Sequence, residues 1–450
     1  MSQQIPSPSM DTGALPIIPQ EARISIPAQK QQEPVKVPLQ LKILISASFL
    51  IALGYGLVAP VLPGYARSFD VGALAATFVV SAFALSRLLF APASGRLISR
   101  LGERRIYTSG LLIVGLGSIG AGLAPNYWVL ILSRIVGGLG SVMFTVAAMG
   151  ILVRYAPPTI RGRVSGYFAT SFLLGNILGP VLGAAASSWG MRVPFFVYAT
   201  MLLLASLVVL TFLKEPQGQE LDTAGLKQVR PVLSLAEAWQ FTNYKAALLA
   251  NFAVGWSVFG VQSTVIPLAA MALVAGQGEG LSADQLAAAG AQLAGFTLAT
   301  YAAGNALVQI YSGKLGDRVG RRPLVFSGLL LAGLLTIVYG FVAGSSLLFV
   351  LLAAFLGVAS ALLGPSLQAA VSDVIGSGRS GGQPLAYFQM VSDVGLILGP
   401  LLAGFLIDRW GFLPAFWVAG LLLLLAAVAW FPAYRPRFPQ DLAEAGYSGR

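Results

Sequence analysis

The sequence predicts an all-α membrane protein of twelve transmembrane helices, arranged as two six-helix bundles related by a pseudo-two-fold axis along the membrane normal. Three observations predict it. Hydrophobic residues make up 56% of the 450-residue chain and charged residues only 10%, against roughly 25% charged in soluble domains. Twelve apolar runs are each long enough to cross a bilayer, which takes about 20 residues of helix. Landmarks also recur at a nearly constant interval: Gly179-Pro180 and Gly399-Pro400 lie 220 residues apart, as do Tyr167-Phe168 and Tyr387-Phe388, while Gly95 and Gly313 lie 218 apart.

Taken in order, residues 1–40 are rich in Pro, Gln and Ser without apolar periodicity and predict a disordered cytoplasmic tail. Spans follow at about 41–64, 72–95, 105–124, 127–154, 164–186 and 192–213, which make an N-terminal bundle over 41–213. A second set at about 245–272, 285–312, 323–343, 346–374, 385–407 and 412–432 makes a C-terminal bundle over 245–432, followed by a tail at 433–450. The runs are uniformly apolar. A membrane barrel would instead show alternating segments of about ten residues, so helices are expected. The linker 214–244 is charged. Within it Ser234 and Glu237 have capping-box spacing ahead of an amphipathic stretch with Leu235, Ala238 and Trp239, which predicts a helix lying at the cytoplasmic interface.

The chain contains neither Cys nor His. That removes thiolate and imidazole metal sites, disulfides and imidazole-based catalysis, so no metal, no cofactor and no enzymatic activity are expected. No Gly-x4-Gly-Lys-Ser/Thr loop is present for ATP. The net charge of +11 is spread over many short loops, which points to anionic lipid rather than nucleic acid. Nearly every Lys and Arg falls on the side shared by the two termini, with Arg67, Arg192 and Arg409 on the other. Positive residues favour the cytoplasm, so a multi-pass protein of the cell membrane with both ends cytoplasmic is expected, acting as a monomer.

Four motifs carry a resemblance. Gly313-Lys-Leu-Gly-Asp317-Arg318-Val-Gly320-Arg321-Arg322 forms a basic loop in the second half, and the first half holds a copy from Gly95 to Arg105 with Ser99 at the position of Asp317. Arg134 is followed by Gly138 and Gly140. Gly175, Gly179, Pro180 and Gly183 punctuate the fifth span. Over residues 40 to 435 these features resemble the major facilitator superfamily, and the fifth-span motif resembles its drug:proton antiporter branch. The resemblance implies alternating access between two halves, with small solutes and protons as partners. It also implies a gating role for Asp317 and Arg318. Gly175, Gly179, Pro180 and Gly183 are read equally well as a device for close helix packing.

Ionisable groups inside spans are costly and are therefore functional candidates. Arg87, Arg134 and Asp393 qualify, whereas Asp373 reads as a solvated helix end. Asp393 is the one deeply placed carboxylate and so the candidate proton carrier, with Arg134 as a second proton-coupling or anion-binding group. Arg87 and Asp393 lie at similar depth on spans that face each other in the family resembled, which predicts a gating pair; the alternative is an Arg87 that snorkels to the interface. By the same resemblance Tyr55, Phe144, Asn251, Trp256, Gln262 and Gln368 would line a central cavity suited to an amphipathic solute. Asn176, Asn305 and Gln309 read as helix–helix contacts. Proton-coupled efflux of drug-like molecules is the resulting expectation. Nutrient uptake on the same scaffold and a membrane enzyme or lipid-handling protein are the alternatives.

Overall fold

The computed structural model describes residues 37–155, 161–213, 233–277, 282–342, 345–375 and 382–433. Most of the two expected tails and residues 214–232 of the linker lie outside the described residues. Every regular element described is a helix. In the first half these are α1 (Leu39–Val58), the short α2 (Leu62–Arg67), α3 (Ala73–Leu101), α4 (Glu103–Gly122), α5 (Tyr127–Tyr155), α6 (Arg161–Ser187) and α7 (Val193–Phe212). The second half has α8 (Leu235–Gln240), α9 (Thr242–Val254), a π-helical stretch Gly255–Gln262 running into α10 (Ser263–Gln277), α11 (Ala283–Val319), α12 (Arg321–Tyr339), α13 (Ser346–Ala361), α14 (Gly364–Ile375), α15 (Gly382–Trp410) and α16 (Phe412–Ala433).

Eleven spans among the described residues are long and apolar enough to cross a membrane. The twelfth helix is α4, whose first turn carries Glu103, Arg104 and Arg105 and whose apolar part is short and rich in glycine. Those glycines are packing surfaces. A Cβ at Gly110 would lie 2.7 Å from the Gly140 carbonyl oxygen on α5, and one at Gly117 2.8 Å from that of Ser133. Small residues allow such backbone approach where lipid supplies no hydrophobic drive between helices.

Several boundaries differ from the sequence reading, and three of them have a plain physical reason. The first span ends at Val58 rather than Gly64, because Pro60 lacks the N–H that would continue the ladder. The last membrane span but two breaks between α13 and α14, just ahead of Gly364-Pro365, for the same reason. The basic stretch 313–322 is not a loop: α11 continues through it to Val319, and the turn is Gly320 alone, at φ +92°. Its repeat mate Gly102, at φ +83°, joins α3 to α4 in the same way. Glycine holds both positions because a Cβ is strained in that region.

The repeat extends to side-chain chemistry. Arg104 donates from Nη2 to the Leu210 carbonyl at the end of α7, at 2.5 Å. Arg322, 218 residues later, donates from Nε to the Phe431 carbonyl on α16, at 2.7 Å, with its guanidinium over the Phe431 ring. Both place a cation against unsatisfied carbonyls at a helix C-terminus. Beside it Arg321 pairs with Asp373 and donates to the Ala369 carbonyl at 2.7 Å. Asp373, expected as a solvated end, thus ties α12 to α14. The linker helix forms as expected: Ser234 Oγ accepts from the Glu237 N–H at 3.3 Å, and the Glu237 carboxylate accepts from the Ser234 N–H at 3.1 Å.

Candidate functional site

Alternating helix directions leave two faces, one bearing the N-terminal end of α1 and the C-terminal end of α16, the other remote from both. Across the two halves, the close contacts cluster toward the remote face. Asp408, near the end of α15, accepts from the backbone N–H groups of Ala73 at 2.6 Å and Leu74 at 2.9 Å. These are the first N–H groups of α3, orphaned at a helix start and favourable to an anion. Gly72 lacks a Cβ that would sit 2.8 Å from the Asp408 carboxylate. Deeper along the same seam Gly404 lies against Leu74 and Thr77, and Ser81 Oγ donates to the Ile397 carbonyl at 2.8 Å. The parallel seam between α6 and α11 is sealed by Ala184, Pro180 and Gly295. Toward the face bearing the termini α3 loses company, and nothing lies within 4 Å of a Cβ built at Gly95.

Asp408 gives a direct test of that seam. Replacing it by Ala is expected to speed labelling of a cysteine at Thr77 by a membrane-impermeant thiol reagent several-fold. The background is clean because the native chain has no cysteine. An unchanged labelling rate would show that the carboxylate does not hold the halves together.

Just past the end of this seam lie Arg87 on α3 and Asp393 on α15. Their charges act on each other, yet no ion pair joins them, and Asp393 Oδ1 takes only a long 3.4 Å contact from Gln389 Nε2. Arg87 also acts on Tyr198 of α7, which in turn feels Arg134 and Tyr55. Tyr198 is thus within electrostatic reach of Arg134, Tyr55 and Arg87, and Asp393 of Arg87. Arg134 is set by packing. Gly138, one turn along α5, lets the helix close on α3 against Phe83 and Ser86, and the Arg134 guanidinium then lies 4.3 Å over the Phe83 ring, a favourable cation–π contact. Tyr55 also packs beside Phe83, at 6.4 Å between ring centroids.

The remaining candidates are dispersed. Asn251 Nδ2 donates to the Phe388 carbonyl at 2.7 Å, and Gln262 Nε2 to Thr336 Oγ1 at 3.2 Å, both buried within the second half. Phe144 stacks edge-on against Tyr107 of α4, Trp256 lies beside Phe252 in the π-helical region, and Gln368 is exposed on α14. Arg318 is exposed in the last turn of α11, and the side chains of Asp317 and Ser99 lie outside the described residues. Gly175, Gly179 and Gly183 lie against the carbonyl oxygens of Phe49, Leu53 and Leu57 on α1, and Gly56 meets Pro180. This is backbone-to-backbone packing. Gly395 and Gly399 repeat it against Phe252 and Trp256 on the second half.

The family model described as Major Facilitator Superfamily matches residues 44–291 and 281–447. The chain belongs to the major facilitator superfamily. Two curated relatives carry drug names. It is 27% identical to Multidrug resistance protein 2 of Bacillus subtilis (strain 168) over 81% of this chain and 88% of that protein. To Quinolone resistance protein NorA of Staphylococcus aureus (strain MRSA252) it is 30% identical over 49% of this chain, a match spanning 56% of NorA. Among solved structures, a bacterial homolog of the human lysosomal transporter Spinster, in an inward-facing and unoccupied conformation, superposes with TM-score 0.70 at 16% identity over 88% of this chain and 98% of that one. The nucleoside transporter NupG does so with TM-score 0.68 at 12% identity over 89% and 100%. At these identities the superpositions speak for the fold. As a major facilitator the chain is a multi-pass membrane transporter, in keeping with the two closely packed halves.

Proposed function

We propose that this transporter is a proton-coupled exporter of small amphipathic, drug-like molecules, with both termini cytoplasmic and Asp393 as its proton carrier. One observation carries the reading: among the described residues Asp393 is the only carboxylate deep in the spans, and it stands unpaired across from Arg87 where the closed inter-half seam ends. A charged Asp393 attracts Arg87 and extends the α3–α15 seam toward the cytoplasmic face, which closes that face. A protonated Asp393 releases Arg87 and lets it open. With cytoplasmic termini, the conformation described above is inward-facing and separates the pair. A proton entering from outside after substrate release then returns the carrier to this state, which gives antiport. The names of the two drug-resistance relatives support a drug-like cargo.

The test is efflux of fluorescent dyes and antibiotics from proteoliposomes under an imposed pH gradient, with and without an uncoupler, alongside sugars as candidate imported solutes. Uncoupler-sensitive dye efflux is expected. Gradient-independent flux, or uptake of a sugar in place of efflux, would refute the proposal.

A further inference from the structure

Arg134 is set apart from the other arginines buried or clamped in the fold. Arg104, Arg192 and Arg322 each donate to a carbonyl oxygen, and Arg321 reaches both a carbonyl and a carboxylate. Arg134 is 7% exposed, no ion pair to it exists among the described residues, and its Nε is buried without a hydrogen-bond partner. Its recorded contact is the Phe83 ring face. A guanidinium is always charged and presents a planar fork of donors, and burial of such a charge without an anion is among the costliest arrangements a fold can hold. The nearby charge effects on it come from Tyr55 and Tyr198. Among the described residues Asp393 makes no ion pair with Arg134; its one hydrogen-bond contact there is the 3.4 Å approach of Gln389 Nε2.

The geometry points to a subsite for an anion: we propose that Arg134, lying over the Phe83 ring that also packs beside Tyr55, binds the carboxylate of an aromatic amphipathic substrate. This rests on the transporter reading above and names its substrate class. A carboxylate matches the guanidinium fork edge to edge, and two phenol hydroxyls can donate to its remaining lone pairs. The aromatic part of such a molecule has a platform at hand, since the Tyr55 ring is 42% exposed while packed beside Phe83. Sign also favours an anion. Among the described residues the spans hold two arginines, Arg87 and Arg134, and a single deep carboxylate, Asp393, and α1 offers Gly54-Tyr55-Gly56 with no acid to receive a cation. Close approach is built in: a side chain at Gly54 would occupy the space of the Tyr198 ring.

Isothermal titration of the full purified chain in detergent tests this with three matched probes: 1-naphthylacetate, its uncharged carboxamide, and 1-naphthylmethylamine. The native protein is expected to bind the carboxylate about tenfold or more tighter than the amide, the scale of a charge-assisted hydrogen bond, and the amine weakest. In Arg134→Gln the carboxylate-to-amide ratio falls to about one, and in Arg134→Lys part of it returns. Tyr55→Phe, which removes one hydroxyl from a part-exposed residue and guards against a folding failure at Arg134, lowers the ratio several-fold. Equal binding of amide and carboxylate by the native chain, no binding of the carboxylate, or a ratio unmoved by these substitutions would overturn the subsite. Dye efflux, read separately, would stand or fall on its own.

Discussion

Replacement of Asp393 by Asn is expected to reduce pH-gradient-driven efflux to background while leaving the protein folded and able to bind its substrate. The amide keeps the volume of the carboxyl group and can still accept from Gln389 Nε2, which lies 3.4 Å from Oδ1. It cannot exchange a proton or carry the charge that draws Arg87 across the seam. Asp393→Glu restores a titratable group one methylene longer and is expected to recover part of the flux. The measurement is substrate efflux together with proton movement in proteoliposomes, with thermal unfolding in detergent as the control for folding. Efflux by Asp393→Asn at the native rate under the same gradient would remove the proton carrier from the proposal.

A second large effect is expected at Gly179, where Gly179→Leu should prevent stable assembly of the first half. A Cβ there would already lie 2.6 Å from the Leu53 carbonyl oxygen and 2.7 Å from the Gly56 Cα. Both obstacles are backbone, so no side-chain rotation relieves them. The helix cannot retreat either, because its other side meets α11 through Ala184 and Gly295. Overpacking a tight core costs about 1–3 kcal/mol for a few added methylenes, and a leucine between two backbones lies at or above the upper end. Gly179→Ala should show a smaller loss in the same direction. Gly95→Ala is the control: with nothing within 4 Å and a helical position, it should be neutral or stabilising by about 0.5–1 kcal/mol. Melting temperatures of the purified proteins decide the matter, and equal melting of Gly179→Leu and the native chain would contradict the packing described.

The fold was legible because lipid makes its demands uniformly along the chain: every span must be long, apolar and internally hydrogen-bonded, and those properties are local. The capping box at Ser234 was legible for the same reason, since it depends on neighbours within a few residues, whereas the stretch 313–322 reads as a loop and is helix as far as Val319. The site was legible only in part. Arg87, Arg134 and Asp393 stand out as charges among apolar residues, and Arg87 and Asp393 come within electrostatic reach where the inter-half seam ends. Tyr198 was missed because a tyrosine in an aliphatic helix carries no charge to flag it. The only hint was a phenol hydroxyl in need of a partner. Asp408 was missed because its partners, the N–H groups of Ala73 and Leu74, come from a helix start 335 residues away. Asn251 and Gln262 carry the right chemistry for a cavity, but the sequence holds nothing to say that they turn inward to Phe388 and Thr336.

The single-glycine junctions at Gly102 and Gly320 carry a mechanical consequence. Adjacent Cα atoms are fixed about 3.8 Å apart, so a connection of one residue has no slack. The joined ends of α3 and α4, and of α11 and α12, therefore cannot slide past each other like pistons; each pair can only pivot about its glycine. Axial motion begun where Asp408 grips the start of α3 therefore carries the first residues of α4 with it at the opposite end of α3, with no slack segment between to absorb it.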